Sequence, residues 1–311
     1  MPSTILREIR GKAMFSLLKI IPVLLLSILA AGSVCGEETL EFKHKFQPGL
    51  LSANSEWTPS LHYDVSLLKT MWSEPDKQAF RKSLSARITT NGTLAGDADL
   101  NNESLLANGG LTTFINLYRP AIVSLGDQPG EYRTEQEGFN WGRLSFSLLA
   151  GYESDQTLDN RNFTGGGEIG YALVENKGIK ALIPSIFVGY DFVSSDHSDL
   201  EEGSGSSGDS RRARVFASWK IPVGQWLPEA FDALNAHFDL RYYKSDGLPK
   251  AYRDADQDEA FYKAAALSYS FGTEPLWGVV NAVYVRFASG RIPPVIDDNT
   301  TMTVGLTVWE R

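Results

Sequence analysis

The chain has 311 residues, 42% of them apolar and 22% charged, with 29 Lys and Arg against 38 Asp and Glu and one Cys. A single Cys forms no internal disulfide, 11% aromatic residues are too many for a disordered chain, and a net charge of -9 argues against nucleic acid as a partner. No stretch reaches the ~18–20 uninterrupted apolar residues that a membrane-crossing helix needs.

The first segment reads as an export signal. Lys19 precedes the apolar run Ile20–Ala31, and the small residues Gly32, Ser33 and Gly36 follow, which is the charge, apolar core and cleavage-site order of a signal peptide. Residues 1–36 are therefore expected to be removed, after Gly36 or Ser33, with Met14 as an alternative start. Cys35 invites lipidation, but Val34 stands where a small residue is expected. Removing 1–36 takes away four basic residues and one acidic, leaving 25 basic against 37 acidic, a charge of -12 and no Cys. A Cys-free exported chain suits a bacterial envelope better than a disulfide-stapled secreted module. The sequons at Asn91, Asn102, Asn162 and Asn299 keep a secreted glycoprotein as an alternative.

Residues 37–59 alternate briefly at Thr39–Phe46 and read as a first strand or a periplasmic segment. From residue 60 the dominant period is two, the mark of strands with two different faces. Leu61, Tyr63, Val65 and Leu67 alternate with polar neighbours, and a second strand is expected at about 79–90. Residues 92–140 carry no clear period and read as an extra hairpin within 103–125 or as a segment folded inside. Eight strands then follow from 141 to 309. Among them are Leu144–Tyr152, Phe163–Leu173, Pro184–Phe192, Ala213–Trp219 and Leu234–Tyr242, and the last carries Met302, Val304, Leu306 and Val308 on one face.

Most of these runs are about ten residues long. Strands of soluble sandwiches usually have five or six, whereas a tilted membrane-crossing strand needs ~9–11. Aromatics sit near the ends of the apolar faces, as in interfacial girdles. Long polar connections at 153–162, 194–211, 244–259 and 289–299 alternate with short ones at 174–181 and 272–276. Pro228, with Leu227, Phe231 and Leu234 at helical spacing, predicts one short interfacial helix within 221–233. The expected fold is an all-β, antiparallel, up-and-down transmembrane barrel of ten to twelve strands occupying 60–311. A soluble β-sandwich is the architectural alternative.

On these features the chain resembles Gram-negative outer-membrane β-barrel proteins. The signal-like N-terminus, the Cys-free remainder, the ten-residue amphipathic strands and the closing strand Thr301–Arg311 carry the resemblance, which covers roughly 60–309. It implies an outer-membrane location, lipid contact and handling by the barrel-assembly machinery. In such barrels the last residue is typically aromatic, whereas here Trp309 is followed by Glu310 and Arg311.

Several motifs admit a chemical and a structural reading. Gly165–Gly170 matches GxGxxG, but a dinucleotide site needs that pattern to open a helix, and here it lies within an alternating run. His62, Asp64 and Ser66 share one strand face, yet residues two apart stand ~6.6–7 Å from each other, so a catalytic group would need partners from other strands. Asp196, Asp199, Glu201, Glu202 and Asp209 crowd one loop, but the Gly203–Gly208 stretch between them is too pliable to fix a cation. No catalytic residue, metal or cofactor is expected.

With apolar faces toward lipid, the opposite faces bring together Asp64, Arg87, Arg143, Glu168, Asp191, Arg212, Arg214, His237, Asp239, Arg241 and Arg286. In a narrow barrel such a set forms a ladder of ion pairs filling the lumen, and in a wider one a polar pore. Its Arg excess would favour anions. The expected function is a small passive channel for polar solutes or a structural surface barrel. An outer-membrane lipid hydrolase or acyltransferase and a loop-based adhesin or receptor are the alternatives.

Overall fold

The computed structural model describes residues 40–308 apart from 75–80, 120–121, 126–131, 137–138, 174–177, 198–208, 249 and 273–274. The expected signal peptide at 1–36, Trp309 and most of the acidic loop at 196–209 lie outside the described residues.

Twelve strands close into one barrel. In chain order they are β1 (Leu40–Ala53), β2 (Glu56–Ser73), β3 (Lys82–Ala95), β4 (Leu105–Arg119), β7 (Phe139–Ser154), β8 (Arg161–Ala172), β9 (Ser185–His197), β10 (Asp209–Ile221), β11 (Leu234–Asp246), β12 (Glu259–Ser270), β13 (Val280–Gly290) and β14 (Asn299–Val308). Each pairs antiparallel with its neighbour, and β1 meets β14 in a register that sets Gly49 opposite Gly305 and Leu51 opposite Thr303. Between β4 and β7 the short strands β5 (Ile122–Leu125) and β6 (Tyr132–Gln136) pair only with each other.

Closure resolves the open part of the count. The stretch 103–125 supplies one wall strand, β4, rather than a hairpin, and the twelfth strand is β1. β1 was hard to read because Leu50–Leu51 and Pro48–Gly49 break its alternation. The twelve-strand total is even, so β1 begins and β14 ends at the same rim, called here the termini end. The opposite rim is the far end.

The expected difference in loop length between the two rims is absent. Strands β7 and β8 run on to Ser154 and from Arg161, so the connection read as 153–162 shrinks to 155–160, while at the termini end 173–184 and 222–233 are longer than most far-end connections. Polar residues near the rims carry no turn signal, because their faces point into water inside the barrel. Within 222–233 the expected helix is instead two short 3-10 turns, Val223–Trp226 and Glu229–Phe231. Pro228 caps the second turn, and a bend at Leu227 in extended conformation interrupts the helical spacing.

The alternation fixes which way each side chain points. On β9, Ile186, Val188, Tyr190 and Phe192 are exposed on the outer surface while Asp191 and Val193 are buried inside. Leu148 (71% exposed) and Phe146 on β7, Ile169 on β8, Phe261 and Leu267 on β12 and Phe287 on β13 continue the outer band. Soluble monomers rarely expose contiguous apolar patches beyond a few hundred Å². A closed band of this kind removes the sandwich alternative, because it needs hydrocarbon around it. Trp72, Trp141, Trp226 and Trp277 stand exposed at the termini end, with the Tyr171 hydroxyl donating to the Trp141 carbonyl at 2.7 Å. Indole and phenol rings of this sort suit the boundary between acyl chains and headgroups.

Candidate functional site

The barrel interior holds the polar side chains, and three layers of it can be told apart. In the far half of the barrel one wall carries an ion-pair ladder between β7, β8, β9 and β10. Arg212 grips Glu153 through two parallel bonds of 2.7 and 2.9 Å, with both side chains 5% exposed. The second Arg212 terminal nitrogen lies 3.6 Å from Asp191. Arg214 reaches Glu168 at 3.2 Å and its Nε lies 3.0 Å from Asp191, close enough for an ion pair but without the alignment of a hydrogen bond. Bidentate Arg–carboxylate geometry fixes direction as well as charge.

Glycines make room for this ladder. A Cβ at Gly166 would meet the Tyr190 carbonyl and the Asp191 carboxylate, and one at Gly189 would meet the Arg214 guanidinium. The GxGxxG match thus lies inside strand β8, where Gly166 lets backbone and ion pair approach closely. Aromatic faces cover the remaining guanidinium surface, with Arg212 5.4 Å from the Tyr243 ring centroid and Arg214 5.4 Å from that of Phe216.

The second layer is built by the β3–β4 connection at the far end, which turns inward instead of leaving the barrel. A 3-10 turn at Ala98–Leu100 buries Leu100 against Leu51 and Ala53, and Asn101, Asn102, Glu103 and Ser104 are all buried. Asn102 crosses the interior, donating to the carbonyls of Gly290 (2.9 Å) and Asn299 (3.2 Å), and its own carbonyl accepts from the Ile292 amide. Glu103 is the hub. One carboxylate oxygen accepts from the Tyr262 hydroxyl at 2.5 Å and pairs with Arg286 at 2.5 Å, and the other accepts from Thr93 and lies 3.4 Å from His62 Nδ1. Burial raises the energy of its charged form, but Arg286, His62 and the Thr93 bond outweigh that and hold the carboxyl well below the usual range. This inward connection, called here the plug, is therefore tied to β2, β3, β12 and β13 at once.

Between plug and ladder the free volume falls to about 70 Å³, bounded by Glu103, Glu153, Asp191, Arg212, Arg214 and Tyr243 among others. The third layer is a vestibule of about 480 Å³ that opens toward the termini end and narrows at His62, Asp239, Arg241 and Arg286. Arg241 pairs with Asp239 at 2.6 Å and lies 5.7 Å from the ring centroids of Phe216 and Tyr262.

The eleven residues singled out in the sequence fall on inward faces. Arg212, Arg214, Glu168 and Asp191 meet in the ladder, Asp239 pairs with Arg241, and Arg286 joins the plug. His237 lines the vestibule, its Nε2 3.3 Å from the Ser268 hydroxyl. Arg143 stands apart, donating to Asn116 at 2.6 Å over the Phe114 ring. Asp64 and Arg87 are exposed within the lumen, Asp64 directly across the strand pair from Lys45.

Beyond the inward set expected from the sequence, Glu103 and Glu153 bring the acids level with the six arginines, while Lys45 and Lys220 add positive charge on the vestibule wall. Glu153 continues the inward parity of Arg143, Ser145, Ser147, Leu149 and Gly151, a signal lost by ending the strand too early. Glu103 had no such signal, because the connection that carries it is aperiodic. Tyr243 and Tyr262 were missed because aromatics were assigned to the lipid face. His62 bonds Thr93 at 2.9 Å, and among the described residues no hydrogen bond joins it to Asp64 or Ser66. No group of three or more potential metal ligands occurs among the described residues.

These features define an outer-membrane β-barrel protein: a closed, even-stranded antiparallel barrel with a lipid-facing apolar band, aromatic rims and a polar interior. No protein-family model and no curated protein sequence matches the chain. Among solved structures, Pseudomonas aeruginosa OccK11 (OpdR) matches with 12% identity over 86% of this chain and 95% of its own, at a TM-score of 0.36. A BenF-like porin from Pseudomonas fluorescens Pf-5 matches with 9% identity over 88% and 99%, TM-score 0.34. A loop-deleted OmpT, an outer membrane protein of Vibrio cholerae, matches with 9% identity over 88% and 100%, TM-score 0.32. The class rests on the barrel's own closure and apolar band, not on likenesses this distant.

Proposed function

We propose that the protein is a passive channel for small polar solutes, held narrow by the inward β3–β4 connection. The observation that carries this is the pairing of a vestibule of about 480 Å³ with a polar constriction of about 70 Å³ in the same lumen. A constriction of that size holds a few waters. Its walls include the hydrogen-bonding groups of Asn91, Asn108, Thr164 and Tyr243, which can replace hydration as a solute passes.

The buried ladder supports a second reading, a structural barrel whose ion pairs fill the lumen. A lipid-hydrolase role has less support, since His62 and its partners face the lumen at the plug and not the lipid. Solute entry into vesicles containing the folded protein separates the two main readings. A channel admits polar solutes of a few heavy atoms and excludes disaccharides. Entry no faster than in protein-free vesicles would overturn the channel.

A further inference from the structure

One cation faces outward from the apolar band. On β12 the outward positions run Glu259, Phe261, Lys263, Ala265 and Leu267, while Tyr262 and Ala264 between them are buried. Lys263 is therefore exposed on the lipid face, and the register fixes its surroundings. It stands opposite Leu240 on β11 and Ser289 on β13, and Ser289 stands opposite Thr300 on β14. The exposed pair Tyr242–Phe261 lies one outward row nearer the far end, and Ala265–Phe287 one row nearer the middle of the wall. The ammonium stem thus starts on the membrane side of an aromatic pair of the kind that marks the headgroup boundary. No acid on the wall answers it. Glu259, four residues away along the strand at ~13 Å, is held together with Asp258 by Lys244, at 2.5 and 3.0 Å. Asp297 and Asp298 lie exposed in the β13–β14 connection, and among the described residues Lys263 forms no ion pair with them or with any other acid. The polar side chains that continue its row are the Ser289 and Thr300 hydroxyls, 3.1 Å apart.

We propose that Lys263, Ser289 and Thr300 form a docking site on the outer wall for the phosphate of a membrane lipid. A charge on a lipid-facing strand is costly toward the bilayer middle and tolerated near the interface, where a long stem carries it to water or to an anion. At that depth the anion a membrane offers is the headgroup phosphate. The ammonium supplies the opposite charge, and the two hydroxyls donate to further phosphate oxygens. Leu240, Ala265 and Phe287 leave an apolar wall on the membrane side for the acyl chains of the same lipid. The site lies outside the lumen, so it stands whether or not the barrel conducts solutes.

The test is native mass spectrometry of the intact folded protein in detergent, titrated with dilauroyl phosphatidylglycerol, dilauroylglycerol or inorganic phosphate. One phosphatidylglycerol is expected to be retained, with dilauroylglycerol, which has the same chains and no phosphate, at least fivefold weaker and inorganic phosphate not retained. Lys263→Gln should lower phosphatidylglycerol retention at least fivefold, and Lys263→Arg should keep it. Ser289→Ala with Thr300→Val should lower it two- to threefold. Lys244→Gln removes a cation already held by two acids and should leave retention within twofold. Unboiled gel mobility confirms that each variant is folded. Should Lys263→Gln not fold, the hydroxyl double variant and the ranking of the three probes on the unaltered protein decide. Dilauroylglycerol binding as well as phosphatidylglycerol, a folded Lys263→Gln variant binding unchanged, or an equal loss in Lys244→Gln would overturn the site. Inorganic phosphate binding as tightly as phosphatidylglycerol would overturn a lipid as its occupant.

Discussion

Glu103→Gln keeps the shape of the plug's central side chain and removes its charge. In the folded barrel the Glu103 side chain is 7% exposed and its partner Arg286 20% exposed, at 2.5 Å. Removing one member of a buried pair typically costs ~3–5 kcal/mol, because the other charge stays desolvated. The amide still accepts one bond, from Tyr262 or Thr93, and lumen water reaches part of Arg286, so the lower end applies and about 3 kcal/mol is expected. Reversible urea unfolding of the protein inserted in lipid vesicles measures this directly. Adding Arg286→Met to Glu103→Gln should recover most of the loss, as the stranded charge goes with it. A single-variant loss below about 1 kcal/mol, or no recovery in the double variant, would refute the plug as a charge-locked element.

Two further outcomes follow from the same geometry. The Glu103 carboxyl is held below its ordinary value when folded, so its contribution is complete above the unfolded value near 4.5 and is lost as pH falls through the folded one. Stability should therefore change little from this group between pH 7 and 5.5 and drop below pH 4.5, and Glu103→Gln should lack that component of the drop. Leu148→Arg puts a charge on the lipid face near the middle of β7 and should cost ~2–4 kcal/mol in vesicle-inserted unfolding. Ser147→Lys, one residue earlier and facing Glu168 across the lumen side, should cost far less, and equal losses would contradict the assignment of faces.

The fold was legible wherever one face of a strand met lipid and the other met water. β7 to β14 were all readable, because Leu144, Phe146 and Leu148 or Ile186, Val188 and Tyr190 leave no other period. β1 was partly hidden, since its inward residues include Leu51 and Ala53, which the plug's Leu100 makes apolar. The site was legible as a set of inward charges but not as an arrangement. Strand parity places Arg212 and Asp191 inside, yet their meeting depends on register, which alternation leaves open. The plug was legible only as one of two alternatives, since 92–140 read as an extra hairpin or as a segment folded inside, and which residues lie in the lumen is decided by partners as remote as Gly290 and Asn299.

The central claim is a membrane-spanning barrel whose lumen the β3–β4 connection constricts. Single-channel recording in planar bilayers tests it most directly, comparing the unaltered protein with a variant whose residues 98–103 are replaced by a short Gly–Ser linker. Small unitary steps from the unaltered protein, rising severalfold in the variant, are predicted. Equal conductance in the two proteins, or none in either, would contradict the account.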